Sequence, residues 1–426
     1  MTRCVLKAET IIKEPPNGGW GWVVVVAAFS IDAISFALGK GLGIFFNEIK
    51  DEFNATNTEV SWVMSLYFSC LGLSGVMVGF CSTFLDVRKI LILSGTLACI
   101  GMVMCAVSPS IYLMYVGSII AGIGCGAAFI SATAHAALYF SSLMALANGL
   151  ILTGSPLGAT VVPYLNQYLL TVYSWRGSLL VLAGLGLNIA MFGSLIRPIT
   201  LLKDNVTSNK TSEPVKKQGQ CILLFKKYWF LGLFLLFNIL FSLCGFVPGV
   251  YIVPYAESKG FSKADSALFL SLISLGDIVC RPLSGLLISK VDVFKKHILS
   301  LVTVMTFSLA LCQLLPVYFS DYACIVTYAV VYGCAYGIAC TTIMNAMPLL
   351  LGKKHLEMYF SAFFTIGGIV TLVGIPFAGA LVDASGRFED AYMYAFVCSF
   401  AGGVYGMFLC FMNYLRHRNK DVPPVV

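Results

Sequence analysis

The sequence predicts an all-α polytopic membrane protein of twelve transmembrane helices arranged as two six-helix bundles, and three observations support this. Of 426 residues, 58% are hydrophobic and only 11% are charged, against about 25% charged in an average soluble domain. Twelve runs of roughly 20 apolar residues are each bounded by charges or turn formers. The longest polar interruption, Arg197 to Lys227, divides those runs six and six.

In order, the spans are expected near 22–47, 60–84, 90–107, 110–138, 146–170, 177–196, 228–254, 265–289, 297–317, 322–350, 357–382 and 391–415. This makes 1–21 an N-terminal segment, 22–196 the first bundle, 197–227 a central loop, 228–415 the second bundle and 416–426 a tail. Nothing before Trp20 has the apolar core of a cleavable signal: Arg3, Lys7 and Lys13 mix with Glu9 and Glu14, so the first span is expected to stay as an anchor. Orientation follows from Lys and Arg counted by side. With the N-terminus cytoplasmic, twenty lie on that side and five (Lys50, Arg176, Lys259, Lys263 and Arg387) lie opposite, which predicts cytoplasmic termini.

Other classes are disfavoured. The net charge is +7, but the positives cluster between apolar segments and form no basic stripe interleaved with surface aromatics, so no nucleic-acid partner is expected. Fifteen cysteines, among them Cys70, Cys105, Cys125 and Cys340, lie singly inside apolar runs and read as buried thiols rather than a disulfide framework. No histidine with paired acids, metal-spaced cysteine cluster or activated nucleophile stands in the spans. Neither an enzyme nor a cofactor is expected.

The two halves repeat. Gly79 to Lys89 reads GFCSTFLDVRK and Gly285 to Lys295 reads GLLISKVDVFK. Each copy falls between the second and third span of its half, at an offset of 206 residues. Two parallel six-helix repeats with such loops resemble the major facilitator superfamily, whose bundles rock about a midplane site. On that reading Asp86 and Arg88, with Asp292 and Lys295, are cytoplasmic latches rather than a binding site.

A pair of opposite charges marks the likeliest chemistry. Between Leu268 and Ser289 the only charged side chains are Asp277 and Arg281, near the centre of a span where either costs roughly 2.5 to 3.5 kcal/mol to insert. A spacing of four stacks them on one helix face. Arginine grips a carboxylate through two parallel hydrogen bonds and never loses its charge, whereas the aspartate can take a proton. An intrahelical brace is the competing structural role.

Directly before the first span stand Pro15-Pro16-Asn17-Gly18-Gly19-Trp20-Gly21-Trp22. This stretch resembles the monocarboxylate transporter signature, an acidic residue followed by Gly-Gly-Trp-Gly-Trp. Further likenesses are Ser61-Trp62, Leu146-Ala147-Asn148-Gly149, Gly154-Ser155-Pro156, Trp175-Arg176-Gly177, Arg197-Pro198, and Asp277, Arg281 and Pro282. The resemblance covers nearly all twelve spans. Lys40 occupies the position of the first-span lysine of proton-coupled members, and Asp32, eight residues or about two turns earlier, is expected to pair with a polar group in another helix, in a functional or a structural role. There are departures as well: Asn17 replaces the signature's acid, Ser141-Ser142-Leu143-Met144 replaces a basic cluster, and Phe36 stands where lactate carriers tend to have tyrosine.

The resemblance implies a plasma-membrane carrier of short-chain monocarboxylates such as lactate, pyruvate or ketone bodies, moving each with a proton. Arg281 is expected to bind the carboxylate with Lys40, Asp277 and Lys40 to exchange the proton, and Phe36, Met64 and Leu66 to size the tail. It also implies a single-span immunoglobulin-type companion such as basigin or embigin. Competing readings are a proton-independent facilitator of another organic anion or amino acid, and a non-transporting sensor. Against the sensor, short loops and a short tail offer little signalling surface. His135, in the fourth span, is a second proton-relay candidate beside its packing role. Asn54-Ala55-Thr56 is an external sequon in a loop too short to favour glycosylation.

Overall fold

The computed structural model of the protein describes residues 10–12, 18–55, 57–82, 84–197, 199–201, 229–245, 247–351 and 356–418. Pro15, Pro16, Asn17, Thr56, Pro198, the central loop from 202 to 227, Lys353, Lys354 and the tail beyond Arg418 lie outside the described residues.

Among the described residues, twelve helices are long and apolar enough to cross a membrane. The first half comprises α1 (Trp20–Ile44), α2 (Phe46–Phe53), α3 (Asn57–Cys81), α4 (Val87–Ala106), α5 (Ile111–Leu138), α6 (Met144–Leu152), α7 (Gly154–Val172) and α8 (Trp175–Leu195). The second comprises α9 (Trp229–Gly245), α10 (Val247–Ser258), α11 (Lys263–Lys290), α12 (Asp292–Lys296), α13 (Ile298–Gln313), α14 (Leu315–Tyr318), α15 (Tyr322–Leu351), α16 (Leu356–Ser385) and α17 (Glu389–Arg418).

Three local features depart from the expected spans. The first span, expected to reach residue 47, ends at Ile44; after Phe45 the chain enters the separate helix α2. Its sequence, FNEIKDEF, carries charges that suit an interface rather than a bilayer core, and Asn54 closes it in the left-handed conformation (φ 47°), which asparagine tolerates. The fifth span is broken at Thr153 into α6 and α7. Finally, Thr10–Ile12 and Ile199–Leu201 form a two-stranded parallel ribbon, β1 and β2, in an otherwise helical molecule.

The ribbon brings the segment before α1 to the segment after α8. There the Trp20 indole N–H donates to the Leu195 carbonyl at 3.0 Å and the Arg197 guanidinium lies 3.9 Å from the Trp20 ring centroid. Trp20 and the end of α8 thus mark one end of the molecule, the termini end. At the far end each half carries an ion pair between the segment closing its first span and the start of its sixth. Arg176 Nη2 meets Glu52 Oε1 at 2.7 Å, and Lys259 pairs with Glu389. The arrangement repeats while the signs exchange, as expected of duplicated halves that have diverged.

Within each bundle, small residues let helices approach closely, as they do in membranes where apolar burial gives no drive between helices. A side chain at Gly101 would strike the Ala121 backbone, and one at Gly333 would strike Ile273. Two seams join the bundles, α3 against α16 and α6 against α11, and both lie in the half nearer the termini end.

Candidate functional site

The break in the fifth span has a local cause. In a continuous helix the N–H of residue 156 would donate to the Leu152 carbonyl, but residue 156 is proline and has no N–H. The Leu152 carbonyl is therefore left to other donors: Ser155 Oγ donates to it at 3.0 Å, and so does Arg281 Nη1, reaching across from α11. The same nitrogen donates to Ser155 Oγ at 3.0 Å. On its own helix Arg281 donates from Nε to Asp277 Oδ1 at 2.6 Å and from Nη2 to Asp277 Oδ2 at 2.8 Å. Both residues are only 6% exposed. Guanidinium has five N–H donors in a fixed fork, so these four bonds leave one to spare.

The close approach that permits this is built from glycine. A Cβ at Gly149 would come within 3.3 Å of the Arg281 carbonyl carbon, and one at Gly285 within 3.0 Å of Leu146 Cα. Thr341 Oγ1 donates to the Arg281 carbonyl at 3.3 Å.

Asp32, expected to pair with a polar group in another helix, reaches the same point from α1. Its Oδ2 accepts the Ser155 N–H at 2.7 Å, a donor left over at the start of α7. Ser155 thus touches the acid through its backbone and the arginine through its hydroxyl. Gly154 makes room, since a Cβ there would lie 3.1 Å from Asp32 Cβ.

The α6–α11 seam continues toward the termini end through polar contacts. Asn148 Nδ2 donates to Asn345 Oδ1 of α15 at 2.8 Å, and the Leu146 N–H donates to Ser289 Oγ at 2.9 Å. The α3–α16 seam is different. There a Cβ at Gly72 would lie 2.6 Å from Gly368 Cα and one at Gly75 2.6 Å from Thr365 Oγ1. Beside it Phe129 and Phe364 meet edge to face, centroids 4.8 Å apart.

Lys40 stands apart from the Asp277–Arg281 pair. Its ammonium lies 5.9 Å from the Phe68 ring centroid, and among the described residues no carboxylate pairs with it. Eight residues separate it from Asp32, which is about 12 Å of helix rise. Phe36 packs against Phe68 and Phe129 at 6.2 and 6.0 Å, lining the α1 face between the two charges. Met64 fills the space over Gly43. Leu66 is half-buried.

The four residues read as latches sit at the termini end and pair locally. Asp86 meets Lys89 at 3.6 Å and Asp292 meets Lys295 at 3.0 Å, the same i,i+3 pair in both copies of the repeat. Arg88 Nε donates to the Ile196 carbonyl at 3.3 Å. None of these contacts crosses between bundles. At the far end the Arg176 hydrogen bond holds the Glu52 carboxyl below its ordinary value, against desolvation and with help from Trp175.

Leu152, Ser155, Asn345 and Ser289 were not singled out for chemistry by sequence reasoning. Leu-Ala-Asn-Gly and Gly-Ser-Pro were noticed as family likeness only. A proline within an apolar span was the available signal, because it predicts an unfilled carbonyl four residues earlier.

Comparison with known proteins accords with this architecture. The Major Facilitator Superfamily profile matches residues 24–375. The chain is 31% identical over 408 residues to monocarboxylate transporter 2 of Homo sapiens, covering 90% of this chain and 84% of that protein. It is 28% identical over 388 residues to monocarboxylate transporter 4 of Gallus gallus, covering 90% and 80%. Among solved structures it is similar to the major facilitator transporter FucP in the outward conformation, with TM-score 0.69, 15% identity and coverage of 92% and 99%. It is also similar to the human organic anion transporter MFSD10, with TM-score 0.69, 14% identity and coverage of 91% and 99%.

Proposed function

Because the chain belongs to the major facilitator superfamily and, within it, to the monocarboxylate transporter family, we propose that it carries short-chain monocarboxylates with protons across the plasma membrane by alternating access. Lactate, pyruvate and ketone bodies are the substrates of this reading. The observation that carries it is the Asp277–Arg281 fork, a bidentate carboxylate–guanidinium pair buried beside the seam between the bundles.

The fork explains coupling by replacement. A substrate carboxylate has the shape and charge of the Asp277 side chain, so it takes over the Nε and Nη2 donors. Asp277, released into a low-dielectric site without its cation, then favours the protonated form. Anion binding and proton binding thereby become one event, and the added cargo is neutral. Lys40, farther along α1, attracts the anion and exchanges the proton on the way in, while Phe36, Met64 and Leu66 size the apolar tail.

The seams lie at the termini end, and the positive-inside rule makes that end cytoplasmic. This conformer is then closed to the cytoplasm, with substrate entering from outside. The paired loops around Asp86, Arg88, Asp292 and Lys295 hold the cytoplasmic ends of each bundle as it rocks. An immunoglobulin-type single-span companion such as basigin or embigin is part of the same reading, and no enzymatic step is.

The test is initial uptake of labelled lactate, pyruvate and β-hydroxybutyrate at external pH 6 and pH 8, roughly a hundredfold range of proton concentration. Faster uptake at pH 6 with little current is expected. Equal rates would make the chain a proton-independent facilitator.

A further inference from the structure

Asp32 is used by none of the steps above, yet it is fully buried near the middle of α1. Its Oδ2 accepts the Ser155 N–H, and its Oδ1 meets no hydrogen-bond donor among the described residues. The cation beside it, Arg281, gives two donors to Asp277 and two to the seam. With both acids ionised, Asp32, Asp277 and Arg281 carry a net charge of −1. An uncompensated charge at that depth is expensive, and one bound proton removes it.

The geometry points to where that proton sits. Both oxygens of Asp277 already accept bonds from Arg281. Asp32 offers a vacant oxygen. We propose that Asp32 is a second proton-binding carboxyl of the carrier, protonated on Oδ1 while the α6–α11 seam is closed and deprotonated when the seam parts. The O–H bond forms with a proton delivered by water, and the same proton returns to water on opening. Oδ2, now the carbonyl oxygen of a neutral acid, keeps the Ser155 N–H.

The surroundings leave Asp32 without another charge partner. From α11 the facing groups are Arg281 and Asp277. The α6 sequence has no ionisable side chain, and α7 contributes Ser155. From α3 the Tyr67 hydroxyl donates to the Ser35 carbonyl at 2.6 Å, and from α5 the Cys125 carbonyl accepts from Ser35 Oγ at 3.3 Å, one turn beyond Asp32; both side chains are neutral at physiological pH. On α8, Arg176 is held by Glu52 at the far end. His135 is three residues from the termini end of α5, whereas Asp32 is twelve residues up α1.

This inference rests on the proton-coupled reading for its role, but its test does not require transport. Purified protein labelled at the aspartate side-chain carboxyl with carbon-13 is measured by infrared spectroscopy at pH 7, where exposed aspartates are ionised. A protonated-carboxyl band is expected in the wild type, lost in Asp32→Asn and retained in Asp32→Glu carrying labelled glutamate. Absence of any such band in the wild type, or its survival unchanged in Asp32→Asn, overturns the proposal. Uptake measured beside surface abundance separates the two readings. If wild-type uptake ignores external pH, the proton-coupled function fails, while the infrared result still judges Asp32. If wild-type uptake is acid-stimulated, Asp32→Asn at equal surface level is expected to change the pH 6 to pH 8 ratio by at least about threefold, and an unchanged ratio removes Asp32 from the transport cycle.

Discussion

The two seams between the bundles solve the same problem with different chemistry. Where α3 meets α16, Gly72, Gly75 and Gly368 bring backbones together and the contact is mostly van der Waals. Where α6 meets α11, Arg281 holds a carbonyl and a hydroxyl of the opposite bundle, and Asn148 and Ser289 add hydrogen bonds. A glycine seam is indifferent to ligand and pH, so it serves as a hinge face that fits or does not. A hydrogen-bonded seam built on the residue proposed to bind the substrate carboxylate is expected to be sensitive to both. On the proposed function, the difference teaches that substrate acts on one side of the interface and the other side follows.

The largest test removes the shared residue. Arg281→Lys keeps the charge but loses the planar fork. Hydrogen bonds to charged groups are worth roughly 1.5 to 3 kcal/mol, so monocarboxylate uptake is expected to fall about ten- to a hundredfold at normal surface abundance. Near-normal uptake at equal surface level would reduce the pair to an intrahelical brace and dissolve the contrast between the seams. Arg281→Ala, measured alongside, is expected to lower surface abundance as well, because it leaves Asp277 buried without its cation.

Gly75→Val attacks the other seam. The new side chain meets the Ser361 carbonyl and Thr365 Oγ1, and overpacking of this kind costs about 1 to 3 kcal/mol. Cys81, at the termini end of α3, is expected to label faster with an impermeant maleimide in inside-out vesicles, at every pH tested. If labelling became faster only at one pH, the glycine seam would not be the passive partner.

A smaller effect belongs to Asn148 and Asn345. A double-mutant cycle with alanine at both positions is expected to give a coupling of about 0.6 kcal/mol, and no more than about 1.7 kcal/mol, by analogy with other membrane hydrogen bonds. Thermal unfolding in detergent reads it. Zero coupling would leave the Arg281 bonds and the Leu146–Ser289 bond as the seam's polar ties.

The smallest effect is expected where no seam exists. At the far end the Glu52–Arg176 pair clasps parts of a single bundle, so Glu52→Gln should leave the Cys81 labelling rate unchanged. Because Glu52 has a lowered value in the folded protein, its stabilisation is present above the unfolded value of about 4.3 and is lost as pH falls through the lower folded one. The melting difference between wild type and Glu52→Gln is expected at pH 7 and to vanish in acid. A difference that grew in acid would contradict the sign.

The fold was largely legible because apolar length, loop charge and the repeat at Asp86 and Asp292 are one-dimensional signals. The two membrane charges were equally plain, since Asp277 and Arg281 stand out against their span. What the sequence hid was the third dimension. No pattern told that Asp32 would meet Ser155, because that contact depends on how closely Gly154 lets α1 approach. Nor did spacing reveal that Lys40 would lie over Phe68 rather than beside Asp277. The end of α1 was misjudged by a few residues because Phe45 and Phe46 are as apolar as the span they follow, and only the charges beyond them betray the separate helix.

The Leu152 carbonyl has a consequence for water. While the seam is closed, Arg281 and the Ser155 hydroxyl together supply the hydrogen bonding that Pro156 denies it. When the bundles part, Arg281 withdraws and no helical N–H takes its place. The Ser155 hydroxyl still donates to this carbonyl, but its own oxygen loses the Arg281 donor, so parting the seam exposes polar groups that favour water at this depth. The proline therefore couples opening of this seam to its wetting.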